Sequence, residues 1–353
     1  MKPRQLFFSA LAIAAAALIL AFPKEVSSAI SGAVTDCLEV IIPSLFAFTV
    51  LAVYLQKSGL YRAALRPLTF PLSKLLRTDE EICALIILSN IGGYPVGAKL
   101  LSESVRSGRL SERDAGRLLC CCFGSGPSFV IGLAGMRVFG SAAVGGALYA
   151  ALLLSSLIVA LFVRSRGEFT LRGKSAPLSL GADSLISSVT DGARVMFTVC
   201  AMITAFSVVM RLAELIGLSA LSQRLFAALG AGENAGGILP ALLEVSRVKA
   251  LVPSGAWVIP LCAGLLSLGG VCVLLQVAAL KGRVPMRAFL LSRIPAALLS
   301  AALSLPALLL PQSAVPAVSD GTAIRAFSSG GMLGFCTLMM CGILLATGGR
   351  RAR

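Results

Sequence analysis

Two apolar stretches, one in each half of this 353-residue chain, are interrupted at comparable places by glycine, proline and charge. The first, residues 82–103, runs through Asn90-Ile91-Gly92-Gly93-Tyr94-Pro95-Val96-Gly97-Ala98-Lys99. The second, residues 233–252, runs through Gly236-Gly237-Ile238-Leu239-Pro240 and Leu243-Glu244-Val245-Ser246-Arg247-Val248-Lys249. An unwound turn frees backbone polar groups, and these are tolerated at membrane depth only where protein or a water-filled cavity surrounds them. Matched interruptions in two halves are the pattern from which transporters build a midplane binding site.

The solvent follows from composition. With 57% hydrophobic residues, 13% charged residues and a mean hydropathy of +0.91, the chain lacks the charge to cover a soluble surface. The formal net charge of +15 does not point to nucleic acid, because Lys and Arg sit in short clusters between apolar runs without interleaved aromatic residues. It is a topology signal, and the expected partner is the lipid bilayer. The chain has no histidine, the commonest general base and metal ligand, so neither an enzyme nor a metal or other cofactor is expected. The ten cysteines lie mostly in apolar stretches without a Cys-x-x-Cys pair and read as small buried hydrophobes. No nucleotide-binding loop is present, which argues against a primary pump.

Lys2 and Arg4 place the start inside. Residues 6–22 then form an N-terminal helix, because Phe22-Pro23-Lys24-Glu25 is a poor signal-cleavage site. A long segment, 26–56, returns to Lys57, Arg62, Arg66, Lys74 and Arg77. Segment 82–103 has basic flanks on both sides and is expected to enter and leave on one side, turning at Gly92-Gly93-Tyr94-Pro95. Crossings follow at 119–138 and 142–163, the latter landing on Arg164, Arg166, Arg172 and Lys174. In the second half, 185–215 crosses outward, 233–252 is a hairpin entered from outside, 254–280 returns to Lys281, Arg283 and Arg287, 288–310 goes out, and 329–347 comes back.

The expected fold is an all-α polytopic membrane protein of about eight transmembrane helices plus two re-entrant or broken-helix hairpins in an inverted-topology repeat. Its parts are an N-terminal helix (1–25), a first repeat (26–163), a basic cytoplasmic linker (164–184), a second repeat (185–310), and an outer loop, last helix and basic tail (311–353). Val34-Thr35-Asp36 and Val189-Thr190-Asp191 open the halves alike, and Phe123-Gly124-Ser125-Gly126-Pro127-Ser128 corresponds loosely to Leu268-Gly269-Gly270-Val271.

An ionisable side chain at the bilayer centre costs about 2.5–3.5 kcal/mol, so each one needs a partner or a task. Asp36 and Glu39 share a helical face, as do Asp191 and Arg194, and the register of the triplets sets Glu39 opposite Arg194 as an expected pair. The alternative is that these groups are solvated at the membrane surface. The candidate binding residues are Asn90, Gly92, Gly93, Tyr94, Pro95 and Lys99 at the first interruption, with Glu244, Ser246 and Arg247 at the second. Ser125, Gly126, Pro127 and Ser128 add a third break, which also reads as a tight structural loop. Arg247 suits a carboxylate through two parallel hydrogen bonds and Lys99 acts as a point charge, so a small-molecule anion is the expected ligand. Against this, Lys99 and Lys249 are long enough to snorkel to an interface. Residues 102–118 read as a solvated amphipathic helix capped by Ser111, and Trp257 as an interface marker.

At Gly93-Tyr94-Pro95-Val96-Gly97-Ala98-Lys99, Arg117-Leu118-Leu119-Cys120 and Gly126-Pro127-Ser128-Phe129-Val130-Ile131-Gly132, the chain resembles the sporulation integral membrane protein YlbJ family, also called stage V sporulation protein VV. The resemblance continues through Leu243-Glu244-Val245 and Gly269-Gly270. It implies paired nucleoside-recognition, or Gate, domains and the movement of dipicolinic acid across the mother-cell-derived outer forespore membrane. It also implies a homo-oligomer or other sporulation membrane proteins as partners. Ser246-Arg247-Val248-Lys249 departs from the small polar residue and glycine that follow Glu-Val in the family, so the resemblance carries over to Glu244 and not to Arg247. A nucleoside or other polar-solute transporter and a non-transporting sporulation scaffold stand as the alternatives.

Overall fold

The computed structural model describes residues 3–172 and 181–311, and these are helical apart from one isolated β-bridge, Leu110 to Leu171. Helix α1 is Pro3–Ala21. Helix α2 runs through residues 23–58 and opens with Pro23, whose missing N–H is no loss in a first turn. Near its middle, Cys37–Ile41 widens into a π-turn in which the Ile42 N–H reaches Cys37 O. Pro43 follows directly; it cannot donate to residue 39 and its ring crowds that carbonyl, which the wider turn relieves. Helix α3 is Arg66–Leu76.

Helices α4 (Glu80–Gly92) and α5 (Tyr94–Arg106) form the first hairpin. Gly93, at φ 93°, makes a turn that an L side chain rarely adopts, and Pro95 restarts the helix. The two ends meet: the Arg109 guanidinium grips both Glu81 carboxylate oxygens at 2.5 Å, across 28 residues of chain. Segment 82–103 therefore folds back as its two basic flanks require.

The stretch expected as a solvated helix, 102–118, is instead the end of α5 and a separate helix α6 (Glu112–Leu118), divided at 107–111. Ser111 caps α6 by accepting from the Asp114 N–H, as expected, but Asp114 is buried, and Arg117 donates to the carbonyls of Val163 and Gly167. The helix is packed rather than solvated.

The expected crossing 119–138 is an unwound run, Cys120–Gly126, followed by a half-helix α7 (Pro127–Val138). Helix α8 (Ala142–Ser165) ends beside Arg117 and Arg77, so 119–141 runs the length of the bundle in the opposite direction to α8.

Helix α9 (Ala182–Leu215) opens the second half antiparallel to α2, because Lys57 near the end of α2 pairs with Asp191 near the start of α9. After α10 (Leu218–Ala228) comes the second hairpin, helix α11 (Ala235–Leu243) and a 3-10 turn, Val245–Ala250. Its ends are tied by buried Asn234, which donates to Val252 O (3.0 Å) and accepts from the Val252 N–H (2.7 Å). This segment also folds back.

Helices α12 (Val258–Leu268) and α13 (Gly270–Leu280) form one span broken at Gly269 and Gly270, whose φ angles are 83° and 72°. Helix α14 is Arg287–Leu303.

Among the described residues, five helices are long and apolar enough to cross a membrane: Pro23–Ser58, Ala142–Ser165, Ala182–Leu215, Val258–Leu280 and Arg287–Leu309. The expected count of about eight is not reached. Residues 119–138 are broken, the apolar stretch Gln5–Ala21 is shorter, and 329–347 lies outside the described residues, as do Lys174 and most of 311–353.

Candidate functional site at the meeting of two hairpins

The four breaks in regular helix converge. Gly93 at the first tip lies against Gly126 of the unwound run. Phe123 of that run packs on Gly269, and Gly270 faces the carbonyls of Ala241, Leu242 and Leu243 at the second tip. Phe123 and Gly269 thus bring the unwound run into contact with the break in Val258–Leu280.

Breaking a helix orphans carbonyls, and named side chains satisfy them. At Gly269 the helix ends in the left-handed conformation, and Leu266 O receives the Tyr94 hydroxyl instead, at 2.6 Å. Ser125 donates in turn to the Tyr94 oxygen, and the Tyr94 ring packs on Phe123 at 5.0 Å between centroids. In the unwound run, Cys121 O accepts from Asn90 Nδ2 (3.1 Å) and the Ser156 hydroxyl (2.6 Å), and Cys120 O accepts from Arg293 at 2.5 Å. Ser128 reaches Ser44 O at 2.9 Å. Asn90, Ser125 and Ser128 therefore hold the broken backbone in shape, while Gly92, Gly93, Pro95, Gly126 and Pro127 form the turns. These are structural tasks for residues expected at a ligand.

Glu244 sits at the second tip in extended backbone and is 2% exposed. Its carboxylate accepts from the Ser246 N–H at 2.9 Å and from the Ser246 hydroxyl. Among the described residues no ion pair reaches it. Its register matches Tyr94: each begins the returning arm of a hairpin, five residues before a lysine. Arg247 reaches Ser207 at 3.3 Å, and its buried Nε has no hydrogen-bond partner.

Lys99, five residues beyond Tyr94, has Asp191 at 3.3 Å and Glu103 at 4.0 Å. The expected pair of Glu39 with Arg194 needs correction. Glu39 and Arg194 are both exposed, and among the described residues no ion pair joins them. The side chains that pair are those of the neighbouring triplets: Asp36 holds Lys249 at 3.0 Å, and Asp191 holds Lys57 at 2.8 Å as well as Lys99. On a regular helix three positions leave side chains only about 60° apart, but Glu39 lies in the π-turn Cys37–Ile41, whose wider winding carries it off the face on which Asp36 meets the second hairpin.

Arg293 was missed. It is 3% exposed on α14, stacked on Phe123 (4.7 Å) and Phe289 (4.6 Å), with hydrogen bonds to Phe289 O, Cys120 O and Ser292. Among the described residues no carboxylate pairs with it. The signal was present, since Arg293 is the one charged residue in 288–310. Seven of the eight described cysteines are buried, and all are free.

These spans, with large apolar side chains such as Phe197, Leu291, Ile294 and Leu298 facing outward, settle the solvent. The chain is an integral membrane protein. It is 28% identical over 176 residues to sporulation integral membrane protein YlbJ of Bacillus subtilis (strain 168), a match covering 48% of this chain and 42% of the relative. The chain thus spans about two fifths of the length of the curated relative it matches. No family model matches the chain, and no solved structure matches it.

Proposed function

We propose that this membrane protein is a secondary transporter of a small organic anion, without a catalytic step of its own. Two hairpins that enter from opposite ends of the bundle and meet at broken helices support this reading above all other observations, because transporters hold solutes at the midplane in that way. Arg293 and Arg247 supply cationic groups with no carboxylate within ion-pair distance among the described residues, and a guanidinium binds a carboxylate through two parallel hydrogen bonds. Dipicolinate, a planar aromatic dicarboxylate, is the named candidate from the family resemblance, with the outer forespore membrane as the location. A neutral polar solute such as a nucleoside is the second reading, favoured by the buried Glu244 carboxylate, which no ion pair reaches among the described residues.

The test is uptake of radiolabelled dipicolinate into proteoliposomes holding the purified protein, with Arg247→Gln and Glu244→Gln alongside. Saturable uptake that Arg247→Gln abolishes supports the anion reading. Nucleoside uptake abolished by Glu244→Gln selects the second. No uptake of either by folded protein, with or without ion gradients, returns the chain to a scaffold role.

A further inference from the structure

The two charge clusters are copies of one another, exchanged between the halves. Asp36 belongs to the first half and holds Lys249 of the second hairpin, with both carboxylate oxygens at 3.0 Å. Asp191 belongs to the second half and holds Lys99 of the first hairpin at 3.3 Å. Each aspartate ends a Val-Thr-Asp triplet, and each lysine lies five residues beyond a hairpin tip. Gly192 of α9 packs on Val50 of α2, and Cys37 points at Cys200, so Asp36 and Asp191 are separated by fourteen residues along α2 and nine along α9, about 14–21 Å at about 1.5 Å per residue. That is less than the roughly 30 Å of a bilayer's hydrocarbon core, so the two clusters lie inside it, one on the outer and one on the inner side of the point where the hairpin tips meet. The side chains are neither solvent-exposed nor sealed, with 13–30% of their surface accessible.

We propose that Asp36–Lys249 and Asp191–Lys99 are the outer and inner latches of the transporter, released in alternation; this rests on the transport reading above. Each pair joins a long helix of one half to the hairpin of the other. Rocking the halves apart at one face must break the pair there, and the same rotation presses the other pair together. The latches are unequal. The inner one has a second cation in Lys57, which also donates to Ser187 at 3.2 Å, and a second carboxylate in Glu103 at 4.0 Å from Lys99. The inner face therefore stays closed more of the time, and the resting protein opens outward.

Cys37 reports on the outer latch without any substrate. It follows Asp36, is 3% exposed, and points its thiol toward Cys200 O between α2 and α9. The experiment measures the alkylation rate of Cys37 by a polar maleimide in detergent-solubilised protein, resolved from the other cysteines by peptide mass mapping. Asp36→Asn and Lys249→Met are each expected to raise the rate about tenfold, the population change worth about 1.4 kcal/mol. The exchange Asp36→Lys with Lys249→Asp restores the wild-type rate. Asp191→Asn leaves the rate unchanged or lowers it, because releasing the inner face closes the outer one.

An unchanged rate in Asp36→Asn overturns the proposal. So does an equal rise in Asp191→Asn, which marks both pairs as mere structural ties whose loss loosens the bundle. Thermal melts of each variant separate latch release from unfolding, and the exchanged pair supplies the answer should a single variant fail to fold. Labelling that behaves as expected without dipicolinate uptake keeps the latches and changes the substrate; uptake without latch behaviour does the reverse.

Discussion

Gly97→Ala tests the seating of the first hairpin. A methyl group at position 97 would lie 1.8 Å from Cys122 O and 2.9 Å from its carbonyl carbon, and both obstacles are backbone. Reaching 3.0 Å, the closest approach that Cβ atoms tolerate, requires the hairpin or the unwound run to move by about 1.2 Å. The run is pinned by Asn90 and Ser156 on Cys121 O and by Arg293 on Cys120 O, at 2.5–3.1 Å. A shift of that size stretches all three bonds past useful length. Each buried polar group left unsatisfied costs about 1–3 kcal/mol, so the loss is about 3 kcal/mol at the lower end. At about 2 °C per kcal/mol for a chain of this size, the melting temperature falls by about 6 °C. The buried cysteines provide the assay, through a thiol-reactive dye followed during heating in detergent. Gly146→Ala is the matched control: it sits inside α8 with nothing within 4 Å, so added helix propensity should stabilise it by about 0.5–1 kcal/mol. A Gly97→Ala protein melting within about 2 °C of wild type would refute the close seating of hairpin and unwound run.

Tyr94→Phe keeps the ring against Phe123 but strips Leu266 O of its donor at the helix break, and the same melt should show about 1–3 kcal/mol lost. Arg293→Lys retains a charge but not the planar fork stacked on Phe123 and Phe289, and is expected to destabilise by more than Tyr94→Phe and to abolish anion uptake; wild-type stability and flux would show that a point charge suffices. Asn234→Ala unties both ends of the second hairpin, so backbone hydrogen exchange should rise by about tenfold across Leu251–Ser254 while the first hairpin is unaffected, and a rise spread over both hairpins would speak against independent closure.

The two hairpins were legible because their cause is local and chemical. Gly93 and Pro95 break a helix wherever they occur, and basic residues at both ends of 82–103 bar it from crossing. The break at Gly269-Gly270 and the unwinding before Pro127 were marked in the same way, although 119–138 still read as one crossing because its hydropathy averages over the break. Charge partners were harder to read. Helical spacing showed which residues share a face of α2, and the triplets gave the register, but neither tells which face meets the other half. Setting Glu39 against Arg194 followed from that gap. The π-turn Cys37–Ile41 separates Asp36, which meets Lys249, from Glu39, which meets the outside, although regular helical spacing sets them on one face.

The sequence by itself determined the solvent and the broken segments, because hydropathy and backbone-breaking residues each act over a few residues. Only the tertiary structure decided that Lys99 belongs to Asp191, that Asn90 and Ser156 hold an unwound carbonyl, and that Arg293 lies buried against Phe123 without a carboxylate. Those pairings join residues from about thirty to about 170 positions apart in the chain. They depend on how two long helices rotate against each other, and that rotation is set by the summed packing of both halves rather than by any one stretch of sequence.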